Sequence, residues 1–167
     1  FSSGVATSGS SGDIDIGTGA ATNGQAGTIS IYVGDTTKAS EDGAMVDMKA
    51  GKTTGGTGGA FSIAAGLGSV NGGLVRIQSG VGTSTLGGSM SLSAGQGGTQ
   101  GGSVVMEGGL GDSHTGGSIT ITSGSGTASS SGYMYLTTAA TTKGVTGDLM
   151  FSSGVATSGS SGDIDIG

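Results

Sequence analysis

Apolar residues recur in pairs, one residue apart, along the whole chain. The pairs are Ile14 and Ile16, Ile29 and Ile31, Val46 and Met48, Phe61 and Ile63, and Val75 and Ile77. They continue as Met90 and Leu92, Val104 and Met106, Ile119 and Ile121, Met134 and Leu136, and Leu149 and Phe151. An i, i+2 spacing puts both side chains on one face of a strand, and many of these residues are the β-branched or aromatic types that strands favour. Aligned on the pairs, the chain divides into rungs 13–27, 28–44, 45–59, 60–73, 74–88, 89–102, 103–117, 118–132, 133–147 and 148–162. Their consensus is x-Φ-x-Φ-x-x-G-x-small-T-x-x-x-G-G, where Φ is apolar. The pattern predicts a six-residue strand followed by a Gly-rich turn in every rung.

The seventh position is Gly in nine rungs and Ala139 in the other; every rung closes on Gly except 28–44, which ends Gly43-Ala44. A longer repeat contains the rungs. Residues 1–17, FSSGVATSGSSGDIDIG, return unchanged as residues 151–167, so the unit is 150 residues long.

One such strand cannot bury its apolar face alone. Stacking like positions on successive turns of a coil would solve this. The predicted fold is therefore all-β, a β-solenoid (β-helix) of about ten rungs per unit. Residues 1–167 form one continuous segment of it, rising about 48 Å per unit at ~4.8 Å per rung. The second and fourth positions would line the core. The ninth is always small (Ala21, Thr36, Thr53, Gly68, Gly82, Gly97, Gly111, Gly126, Thr141, Ala156) and would form an opposite wall that lets two sheets approach. The tenth is mostly Thr, either a stacked hydroxyl ladder or solvated loop chemistry. Two extra residues in rung 28–44, around Lys38-Ala39-Ser40-Glu41-Asp42, would bulge outward. The chain opens at the fourth position of a rung and stops within another, as expected of an excerpt from a longer array.

Composition narrows the function. Gly supplies 41 of 167 residues, without the three-residue period of collagen, and Pro is absent, as suits a backbone that donates hydrogen bonds almost everywhere. Five basic residues, Lys38, Lys49, Lys52, Arg76 and Lys143, form no run, and the net charge is −6; nucleic acid is an unfavourable partner. No apolar stretch reaches the roughly 20 residues of a membrane span. The absence of Cys excludes disulfides and thiolate-bound metal.

Candidate chemistry is sparse. His114, the one His, lies in GDSHTGG two residues after Asp112, but a catalytic triad needs an oriented pocket, and the expectation is no enzyme. Gly-rich strings such as Gly95–Gly98 precede no helix and lack a Walker lysine. Gly108-Gly109-Leu110-Gly111-Asp112 resembles the start of a calcium β-roll nonapeptide, but occurs once in a chain whose period is 15. Asp148 and Asp163 share a column on consecutive rungs, with Asp165 beside them and Asp13 and Asp15 equivalent one unit earlier. Stacked carboxylates repel unless solvated or bridged by a cation, which makes them candidate Ca²⁺ ligands or a solvated acidic face. In the outward third column Val105, Tyr135 and Met150, with Tyr133 alongside, form a candidate contact surface for a second filament or for sugar rings. No Asn-x-Ser/Thr sequon occurs, and O-glycosylation of the Ser/Thr-rich corners stays open.

The rungs GGSITITSGSGTASSSG and GGSMSLSAGQGGTQGG resemble Gly/Ser/Thr-rich tandem-repeat β-solenoid proteins of algal, diatom-like cell surfaces and extracellular matrix. The resemblance spans the chain and implies an extracellular structural or adhesive filament; it transfers no functional residue. The expected function is a segment of a long extracellular β-solenoid fibre whose partners are further copies of itself, end to end and laterally, and polysaccharide. A calcium- or carbohydrate-binding adhesin stalk is the alternative. An ice-binding solenoid needs a regular outward Thr array, and the outer columns are irregular.

Overall fold

A computed structural model describes all residues, 1–167. It contains no helix and no strand, so the predicted all-β solenoid, or β-helix, is overturned. Every backbone hydrogen bond stays within a single rung, and no ladder joins one rung to the next. A strand exists only through such a ladder. No side chain is buried, and the accessible surface is 16452 Å², against about 7,200 Å² for a folded monomer of this mass. The physical reason lies in the balance the rungs strike. Each offers two apolar side chains to a core, while a backbone this rich in Gly loses the most conformational freedom on ordering.

Strand-like alternation survives locally in the first half of a rung. Residues at odd positions pair across one intervening residue. Lys49 contacts Asp47 in an ion pair, the Arg76 guanidinium donates to the Gln78 side-chain carbonyl, and the rings of Tyr133 and Tyr135 meet. The even-numbered apolar pairs alternate with them. Within every apolar pair the first member, at the rung's second position, is the less exposed, as with Ile29 at 47% and Ile31 at 72%.

The second half of each rung is a loop. Turns or bends occur at residues 7–9, 22–24, 39–41, 54–56, 69–71, 83–85, 98–100, 112–114, 127–129, 142–144 and 157–159. The first and last are one 150-residue unit apart. In six rungs the loop is closed by one hydrogen bond, in which the amide of the last residue donates to the carbonyl of the seventh. These are Gly59 to Gly51, Gly73 to Gly66, Gly88 to Gly80, Gly102 to Gly95, Gly117 to Gly109 and Gly132 to Gly124, all at 2.8–2.9 Å. Rung 13–27 is held instead by the Thr18 hydroxyl, which donates to the Gly27 carbonyl at 3.0 Å.

Differences in rung length fall at two defined places. The bend begins three residues after the seventh position everywhere except in rung 28–44, where Gly34 precedes the turn at residue 39 by five. Both extra residues therefore lie before that turn. It is closed by the Glu41 amide donating to the Lys38 carbonyl at 3.2 Å and by a Lys38–Glu41 ion pair at 2.7 Å. The 14-residue rungs, 60–73 and 89–102, keep the bend in place and shorten the chain between it and the closing Gly.

The ninth position is small for a reason other than the expected sheet-to-sheet wall. A Cβ at Gly68 would lie 2.0 Å from the carbonyl oxygen of Asn71, and one at Gly82 would lie 2.0 Å from that of Leu86. At Gly97 the distance is 1.9 Å to Gln100, at Gly111 2.6 Å to His114, and at Gly126 2.4 Å to Ser129. The loop turns its own carbonyls in against these glycines. Where the ninth residue is Thr, its hydroxyl serves the bend instead. Thr53 Oγ1 accepts from the Gly55 amide at 3.4 Å, Thr141 Oγ1 donates to the Lys143 carbonyl at 2.7 Å, and Thr36 Oγ1 donates to the Asp42 carbonyl at 3.4 Å.

By proximity along the chain the molecule divides into two units, Phe1–Gly88 and Ser89–Gly167. The division falls on the boundary between two rungs. In the first unit Gly9 has a left-handed φ of 91°, and in the second its repeat equivalent Gly159 has 100°. The same bend therefore forms in both copies of the 17-residue sequence.

Candidate functional site

The chemistry of this chain is spread along its rungs. Each rung presents an exposed apolar pair, then a loop whose bend carries hydroxyl groups, and in six rungs that loop is closed between two glycines. Thr22, Thr54, Thr83, Thr127, Thr142 and Thr157 each begin a bend, and all are exposed. None of these tenth-position hydroxyls takes part in a hydrogen bond, whereas the ninth-position hydroxyls of Thr36, Thr53 and Thr141 do. The structure thus has no hydroxyl ladder, and the tenth-position Thr belongs to a solvated bend.

The candidate contact residues all face solvent: Val105, Tyr133, Tyr135 and Met150. Tyr133 and Tyr135 are brought together, with ring centroids 5.8 Å apart and planes tilted by 35°. That separation lies within the range at which aromatic rings attract one another, and both residues remain more than four-fifths exposed. Val105 and Met150 join this ring pair only as exposed neighbours in the same column of the sequence pattern.

Asp148, Asp163 and Asp165 are exposed. No group of three or more His, Cys, Asp or Glu side chains gathers where it would hold one metal ion, so these carboxylates are not assembled around a common point. His114 is the last residue of the bend 112–114, and its backbone carbonyl together with that of Thr115 crowds Gly111. There is no enclosed cavity, and no helix is long and apolar enough to cross a membrane.

Sequence reasoning missed the neck that closes six of the loops, the contact between the seventh and last positions. The signal was present, since both positions are almost always Gly. A Cβ at Gly88 would lie 3.2 Å from the Gly80 nitrogen, and one at Gly117 2.9 Å from the Gly109 nitrogen. The two backbones approach too closely for most side chains.

No family model, no curated protein and no solved structure matches this chain.

Proposed function

We propose that the chain is a segment of an extracellular structural or adhesive fibre in which 150-residue units follow one another and copies associate side by side. The observation that carries this reading is the recurrence of one bend in every rung of the repeat, closed by a Gly neck in six successive rungs. The bend of residues 7–9 returns at 157–159. A unit that reproduces its own local structure in this way suits an array of equivalent surfaces. Lateral association gives the exposed apolar pairs a partner, since removing apolar side chains from water is favourable. Gly/Ser/Thr-rich tandem repeats of algal cell surfaces offer the analogy in composition and period. The fold of the segment is the looped chain described above.

Negative-stain electron microscopy of native material tests the proposal. Filaments whose mass per length repeats with the 150-residue unit support it. Dispersed single chains, with a monomer mass by sedimentation at the same concentration, reject it.

A second reading is favoured by Tyr133 and Tyr135. An exposed ring pair is a platform for sugar rings, and the chain would then act as a polysaccharide-binding stalk. Co-sedimentation with insoluble polysaccharide, lost in a Tyr133→Ala, Tyr135→Ala double variant, distinguishes this role from a purely structural one.

A further inference from the structure

Both asparagines of the chain, Asn23 and Asn71, are followed by Gly, and both lie in bends, at 22–24 and 69–71. We propose that Asn23-Gly24 and Asn71-Gly72 are sites of spontaneous main-chain rearrangement through a succinimide, with Asn23 reacting first. The reaction needs only water. The deprotonated amide nitrogen of the Gly attacks the side-chain carbonyl carbon of the Asn, so that an N–Cγ bond forms. The Cγ–Nδ2 bond then breaks, and ammonia leaves with the proton taken from the Gly amide. Water adds to one of the two ring carbonyls and the ring C–N bond at that carbon breaks. Opening at the side-chain carbonyl yields Asp. Opening at the main-chain carbonyl yields isoaspartate, in which the backbone runs through the former side chain.

Three observations meet at these two dipeptides. Neither Gly amide is engaged, because Gly24 and Gly72 donate none of the backbone hydrogen bonds, and only the amides of Gly55 and Lys143 reach a side chain. Both asparagines are exposed, without a hydrogen bond to hold the side-chain amide. Around Gly24 and Gly72 the space where a Cβ would stand is empty to 4 Å, so no other segment packs against either glycine there, and neither Gly has a left-handed φ.

The two sites differ in restraint. The Asn71 carbonyl is turned in against Gly68, and its loop is closed two residues later by the Gly73 amide donating to Gly66. Ring closure must rotate the backbone at Asn71 against that neck. Asn23 follows Ala21 and Thr22 in a loop held only by the Thr18 hydroxyl on Gly27, and rotates more freely. Each event adds one negative charge, and the isoaspartate product also lengthens the main chain at the bend.

The test uses the full chain, incubated in mildly alkaline buffer beside a free peptide of sequence ATNGQAG. Peptide mapping by mass spectrometry reads the amide-to-acid gain, and enzymatic isoaspartyl methylation reads the rearranged backbone. Both sites convert, Asn23 ahead of Asn71. Gly24→Ala and Gly72→Ala lose conversion at their own site alone, since the added methyl enters empty space and leaves the bend intact while hindering ring closure. If both asparagines persist while the free peptide converts completely, or if the Ala variants convert at the parent rate, the proposal fails. Conversion of Asn71 level with or ahead of Asn23 overturns the assigned order.

Discussion

A Cβ on Gly97 would stand 1.9 Å from the carbonyl oxygen of Gln100. The next residue, Gly98, has nothing within 4 Å of the same position and no left-handed φ. Two adjacent glycines in one loop therefore serve different ends, one structural and one incidental.

Gly97→Ala should open the loop, and Gly98→Ala should leave it closed. The closing bond from the Gly102 amide to the Gly95 carbonyl is exposed, and such a bond contributes about 0.5–1.5 kcal/mol net. The temperature coefficient of the Gly102 amide proton, measured by NMR, reports its loss. An unchanged coefficient in Gly97→Ala would show that the carbonyl does not sit where the structure puts it.

Removing Leu86 should convert rung 74–88 into the shorter type. Rungs 60–73 and 89–102 lack one residue between bend and neck and use the carbonyl of Asn71 or Gln100 where rung 74–88 uses that of Leu86. The Gly88–Gly80 bond is expected to persist in the deletion, with Thr85 taking over the place beside Gly82. Deleting Gly80, by contrast, removes the acceptor side of the neck. The Gly88 amide then exchanges with solvent at the rate of a free peptide.

The ring contact between Tyr133 and Tyr135 predicts an optical signature. The chain has three Tyr and no Trp, so coupled ring transitions at this pair should give a couplet in circular dichroism. Tyr135→Ala abolishes the couplet and Tyr32→Ala leaves it. Persistence of the couplet in Tyr135→Ala would place its origin elsewhere.

Association of the chain should strengthen with salt. Exposed apolar pairs attract one another while a net charge of −6 repels, and raising ionic strength shortens the range of that repulsion to about 3 Å at 1 M. Light scattering should rise with sodium chloride in the parent. The rise should be blunted when Ile29 and Ile31 are replaced by Ser together with Val75 and Ile77. A fall in scattering with salt would instead point to contacts built on charge.

The periodic content of the fold was legible in the residues, and its long-range content was not. Rung boundaries, the Gly at positions seven and fifteen, and the location of the insertion near Lys38 and Glu41 follow from local chemistry, since a bend or a close backbone approach is decided within a few residues. Whether Ile14 stacks on Ile29 is a different kind of question. It depends on pairing between distant segments, and a periodic pattern states only that such pairing would be in register. The ninth position shows how a correct observation led to the wrong cause. Gly68, Gly82 and Gly97 are small because a carbonyl a few residues on folds against them, and the sheet-to-sheet packing invoked for them is absent. Asp148, Asp163 and Asp165 were a column only if rungs stacked, and without stacking nothing draws them to one point.

The necks of the loops also have a mechanical meaning. The nitrogen of Gly88 is 2.9 Å from the oxygen of Gly80, yet the eight residues that follow Gly80 span up to ~26–29 Å when drawn straight. A chain pulled from its ends therefore holds slack behind each neck, released by the rupture of one exposed hydrogen bond. Because one such bond contributes only about 0.5–1.5 kcal/mol, the tether lets out its slack smoothly under small loads and takes it up again as the glycines find one another.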